Sequence, residues 1–165
     1  MKKKAVVGAA LVGLSALLFA RGEAGSLTWW NDSPSMPRGL YVRMWGEVAR
    51  GDVVLACVPP KSASWALAKH VLGKGNCDGA VPVIKRAFGL PGDRVQISSQ
   101  GITVNGKPIY DTKRRSSNIG PIPSVDVDRV LGPGEFVLVG DDRPGSWDSR
   151  YWGPTNHVLG RVVFI

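Results

Sequence analysis

Apolar residues are distributed along the chain in distinct regimes. From Ala5 to Ala20 there is no charge at all, behind Lys2, Lys3 and Lys4, and Arg21 and Glu23 close the run. Beyond it, short apolar stretches alternate with Gly, Pro, Asn and Asp, the rhythm of strands joined by turns. The pattern predicts strands over Leu40 to Met44, Val53 to Val58, Val81 to Phe88, Val95 to Ser98, Ile102 to Val104, Lys107 to Tyr110, Glu135 to Val139 and Val158 to Ile165. Asn105-Gly106 suits a type I′ turn and makes a hairpin of its flanks. Only Ser62 to Leu72 turns helical, with Ser62 or Ser64 as its cap. Gly73 to Gly79, Asp111 to Asp128 and Gly140 to Pro154 read as loops, and the prolines of Ser33 to Gly39 exclude helix there. The sum is a mostly β domain, a curled antiparallel sheet or partial barrel, with a small helical insert and an N-terminal apolar helix.

That helix would reach about 24 Å, against a hydrocarbon core of about 30 Å. It spans only if the flanking Lys and Arg snorkel, and it is slightly long for a signal-peptide core. Gly22-Glu23-Ala24 has small residues where a signal peptidase looks, so cleavage could follow Ala24. Residues 1–24 therefore read as a signal or membrane anchor and 25–165 as one exported domain. Lysines ahead of the run stay in the cytoplasm. The domain is expected on the periplasmic side of the inner membrane, or in the periplasm if 1–24 is removed. Trp29 and Trp30, just beyond the run, suit the interfacial layer.

Composition sharpens this picture. A chain of 165 residues suits one domain, and 21 glycines with 12 prolines fit many turns. The net charge of +8 points to an acidic partner. Lys2 to Lys4 beside an apolar run favour lipid, and without a helix-turn-helix or aromatic–basic interleaving no nucleic acid is expected. Lys113-Arg114-Arg115 is the other dense basic cluster. In an oxidising compartment Cys57 and Cys77 either form a disulfide or remain two buried thiols. Two cysteines and two histidines lack ligand spacing, so neither a metal nor another cofactor is expected.

Three segments carry candidate chemistry. Ser33-Pro34-Ser35-Met36-Pro37 is a stiff turn that can present a hydroxyl. Lys85 lies in an apolar strand with Val83 and Ala87 on its own face. Burial there would ease loss of its proton and let it serve as a base toward a serine. A snorkelling lysine is the bland alternative. Gly140 to Gly153 alternates Gly, Asp, Ser and Arg directly after a strand, as a site-building loop would, or as a surface turn with weak ion pairs would.

In order and type these segments resemble the motif regions of type I signal peptidases (peptidase S26). Gly75-Asn76-Cys77-Asp78-Gly79 ahead of Lys85, with Ser35-Met36-Pro37-Arg38-Gly39-Leu40-Tyr41, is similar to the conjugative-transfer, TraF-type subgroup that processes pilin precursors. The resemblance implies a serine endopeptidase with Ser35 as nucleophile and Lys85 as general base. Ser33 and the Ser35 N–H would hold the oxyanion. Ser146 would orient the lysine ammonium, and Asp148 and Arg150 would support the site as an ion pair. Met36 and Pro37 would line shallow apolar pockets for small substrate side chains. Partners implied are a pilin or other exported precursor, the inner membrane, and components of a conjugation or type IV secretion apparatus. Pro37 directly after Met36, and a second β region reduced to the hairpin near Asn105, depart from general signal peptidases and favour a narrow substrate. An amine attacking the acyl-enzyme instead of water would close a pilin into a ring, and no residue separates the two outcomes.

Other readings compete. A Ser-His-Asp triad would need His70 or His157, both in ordinary surroundings. A self-cleaving repressor would need a DNA-binding domain where the apolar run stands. An exported, non-catalytic assembly protein of a pilus machine remains the alternative from another class.

Overall fold

The computed structural model describes residues 26–165, so the expected apolar helix and the segment 1–24 lie outside the described residues. Among the described residues no helix is long and apolar enough to cross a membrane. The order is β1 (Thr28–Asn31), β2 (Gly39–Met44), β3 (Val53–Ala56), α1 (Pro60–Ala68), β4 (Lys74–Cys77), β5 (Val83–Gly89), β6 (Arg94–Ser98), β7 (Gly101–Val104), β8 (Lys107–Ile109), β9 (Val127–Val130), β10 (Val137–Val139), α2 (Ser149–Trp152) and β11 (Val158–Phe164). Mostly β, as expected, the chain forms two open antiparallel sheets, one of six strands ordered β1-β2-β11-β3-β5-β10 and one of four ordered β8-β7-β6-β9.

Alternation decides which side chains meet. On one face of the large sheet Val54, Ala56, Val83, Ala87 and Leu138 pack with Trp152. On the other Tyr41, Leu55, Ile84 and Val162 pack with Trp29 and Met36. Strand β10 joins the two sheets: Leu138 serves the first cluster, while Val137 and Val139 pack with Val95, Ile97, Ile102 and Val104 of the small sheet. Burying each Val, Leu, Ile or Met side chain among these contributes about 1.5–3 kcal/mol. Buried Asp93 ties the junction, accepting from Arg50 at 2.8 Å, from the Leu90 N–H and from Asn105.

Several expectations are corrected. The helix begins at Pro60, whose missing N–H is no loss at a first turn. No side chain caps it; Ser64 instead donates to the Pro60 carbonyl. Part of the expected loop 73–79 is β4, turned back at Asp78 and Gly79, both with positive φ. Strand β9 begins inside the expected loop 111–128 and runs two residues past it, and helix α2 lies within the expected loop 140–154. The Asn105-Gly106 turn is present, with φ of 49° and 75°. Its hairpin is half of a four-stranded sheet, because β6 and β9 extend it.

Candidate active site

The nucleophile turn sits between β1 and β2 and is built by short-range hydrogen bonds. Asn31 is its hub: Nδ2 donates to the carbonyls of Ser33, Met36 and Pro37 at 3.0, 3.1 and 3.0 Å, and Oδ1 accepts from the Ser33 N–H. Tyr41 Oη donates to the Pro37 carbonyl at 2.8 Å. Asn31 does not stand out in the sequence, although Asn before a Pro-Ser turn is the Asx-turn signal, and Tyr41 is there only the end of the Ser35–Tyr41 stretch, with no role given to it. The Ser35 carbonyl accepts the N–H groups of Asp141 and Asp142 at 2.8 and 3.2 Å, which fastens the turn to the end of β10.

Strand pairing then brings in the lysine. β5 pairs with β3 on one side and β10 on the other, which aligns Lys85 with Val54. Its Nζ lies 2.6 Å from Ser35 Oγ, and the two residues are 4% and 5% exposed. Ser33 Oγ lies 3.1 Å from Ser35 Oγ and 3.3 Å from the Ser35 N–H. Burial is the main influence on Lys85 and pushes its pKa from 10.5 down to about 8. The Arg150 charge adds to that fall, while Asp148 and Asp141 oppose it. A neutral amine in contact with a hydroxyl can take its proton, so this pair can generate an alkoxide.

Asp148 and Arg150 form a two-pronged ion pair of 2.8 and 3.0 Å with no exposed surface. Asp148 also accepts from the Gly140 and Arg150 N–H groups, so the pair fixes both ends of the loop. Ser146 is buried, but its hydroxyl has no hydrogen-bond partner among the described residues, so it does not bond Lys85 here. It packs on Gly140, where a Cβ would fall 2.3 Å from Ser146 Oγ and 2.8 Å from the Ser35 carbonyl. Only glycine permits the nucleophile turn, Ser146 and the end of β10 to meet. Met36 is buried in the core beneath the turn, and Pro37 is exposed. Arg86 and Asp141 pair at the rim at 2.6 Å. His70 and His157 are both exposed, apart from this cluster. Cys57 and Cys77 are joined as a disulfide.

The family model for "Signal peptidase, peptidase S26" matches residues 3–165. The chain is 31% identical to a plasmid transfer protein TraF from Escherichia coli, over 98% of this chain and 93% of that protein. It is 31% identical to a conjugal transfer protein TraF from Agrobacterium fabrum, over 93% and 90%. It is also 38% identical to a probable signal peptidase I-2 from Synechocystis, over 48% of this chain and 35% of that protein.

Proposed function

The chain belongs to the signal peptidase family, peptidase S26, and on that premise we propose that it is a serine endopeptidase that cuts exported precursors, a conjugative pilin above all, with a Ser35–Lys85 dyad. The observation that carries the proposal is a lysine Nζ, almost fully buried, 2.6 Å from a serine hydroxyl. Neutral Lys85 takes the Ser35 proton as Oγ attacks the scissile carbonyl. The Ser35 N–H, which donates to Ser33 Oγ in the resting structure, and the Ser33 hydroxyl would turn to the oxyanion as it forms, donors to charge that exists only in the transition state. Protonated Lys85 then gives its proton to the leaving amine. Water, activated by the same lysine, hydrolyses the acyl-enzyme; an amine from the precursor in place of that water would ligate instead. Exposed Pro37, beside the nucleophile, would contact the substrate directly, while Met36, buried beneath it, would shape that surface only from below. Ser146, buried beside the pair, is the hydroxyl suited to steady the ammonium once the proton has moved, and the Asp148–Arg150 pair holds its loop. Residues 1–24 would tether the enzyme to the inner membrane, where such precursors emerge.

The test is cleavage of a co-expressed pilin precursor by the wild type, Ser35→Ala and Lys85→Ala, read by intact mass. Folded variants that leave the precursor whole support the dyad, and a product lighter by one further water marks ring closure. Processing by both variants would overturn the proposal in favour of a scaffold role.

A further inference from the structure

The segment 59–82, α1 with β4, has no part in the chemistry above, yet it is fastened and aimed. Cys57, next to β3, is bonded to Cys77 in β4, and both are buried. The segment presents Trp65 to Trp147 with ring centroids 5.7 Å apart, and Trp147 meets Trp152 edge-on at 6.4 Å. Trp147 stands between Ser146 and Asp148 in the chain, so whatever seats its indole seats both neighbours. Its buried Nε1 has no partner among the described residues, so the ring is held by its faces and not by a hydrogen bond. The segment also supplies Ala63 and Ala80 to the apolar cluster containing Val83 and Ala87, the neighbours of Lys85 on its own face of β5.

We propose that Trp65 is a positioning residue for Lys85: the disulfide-tethered insert presses it on Trp147, which holds the Ser146–Asp148 turn closed and keeps water from the lysine. The proposal rests on the reading of Lys85 as the base. The charges facing Lys85 are Asp148 and Arg150 from the far end of the loop and Asp141, itself paired with Arg86, after β10. With the turn open, water reaches Nζ, the desolvation is relieved, and the titration midpoint climbs toward that of a free lysine. A segment that only added stability would leave the midpoint where it is.

The experiment follows the 13Cε resonance of Lys85 with pH in the full chain, lysine-labelled and held in detergent micelles, with the signal identified by its loss in Lys85→Met. The wild type should titrate near 8. Trp65→Ala should move the midpoint up by about half a pH unit or more, and Trp65→Phe, which keeps a ring face, should restore it. Reducing the Cys57–Cys77 disulfide in the wild type should act as Trp65→Ala does, and it carries the same test if that variant fails to fold. An unmoved midpoint in a folded variant or in the reduced protein overturns the proposal. A wild-type Lys85 that titrates near 10.5 would instead sink the base assignment on which it rests.

Discussion

Lys85→Met should abolish activity and stabilise the fold in a pH-dependent way, and the size of that dependence follows from the site. Lys85 is buried with its pKa lowered from 10.5 to about 8. Below pH 8 both the folded and the unfolded chain carry the proton, and the folded chain bears the full cost of a desolvated ammonium, about 3 kcal/mol. Between pH 8 and 10.5 the unfolded chain holds more protons than the folded one, so wild-type stability rises with pH and the cost is relieved. Methionine cannot titrate, and every other group is common to the two proteins. The stability difference, Lys85→Met minus wild type, should therefore fall by roughly 2–3 kcal/mol between pH 6.5 and 10. The assay is urea unfolding followed by tryptophan fluorescence in micelles at four or five pH values, with the slopes in denaturant compared to check that both proteins unfold alike. A difference flat with pH would mean that Lys85 is solvated. A difference that rises with pH would mean that Asp148 and Asp141 outweigh burial. Either result removes the physical basis for a lysine base.

Other outcomes follow from the same geometry. Cleavage rate should climb with pH and level off above about 8, since at pH 7 only about a tenth of the molecules hold the neutral amine; a flat profile from pH 6 to 9 would contradict this. Gly140→Ala should cost about 1–3 kcal/mol in thermal unfolding and at least about tenfold in acylation, because its Cβ collides with Ser146 and the Ser35 carbonyl; adding Ser146→Gly should recover part of the stability but not the acylation rate. Asp148→Ala leaves the Arg150 charge buried without its partner and should lower stability by about 3–5 kcal/mol, a loss that Arg150→Met in the same chain should reduce in a double-mutant cycle. Asn31→Asp keeps the acceptor but loses the donor that gathers three carbonyls, so turnover should fall as it does in Asn31→Ala; wild-type turnover in Asn31→Asp would show that the hub is not needed.

Much of the fold is local information and was readable in the residue order. Val81 to Phe88, broken by Pro82, Lys85 and Arg86, and Val158 to Ile165 are short runs rich in apolar and β-branched residues between turn signals, the local pattern of strands. Asn105-Gly106 specifies its own turn through the positive φ both residues tolerate. The Ser35, Lys85 and Gly140–Gly153 motifs are short strings of residues. None of these needs a partner to be recognised.

What required the tertiary structure is everything whose physical cause lies far along the chain. Strand β9, Val127 to Val130, has two charged residues among four and becomes a strand only because β6 offers it hydrogen bonds. Lys85 is buried in a strand that β3 and β10 flank, and the charges acting on it come from Asp148, Arg150 and Asp141, so no window around Lys85 contains the cause of its lowered pKa. Ser146 reads as a partner of Lys85, yet where its hydroxyl lies depends on how closely Gly140 lets two backbones approach. Residues 35, 85 and 140–150 share one site because antiparallel pairing of β3, β5 and β10 overcomes a separation of many residues. Loop closure over such distances is compensated only by the apolar surface those strands bury together, a quantity that belongs to the assembled sheets and to no segment alone.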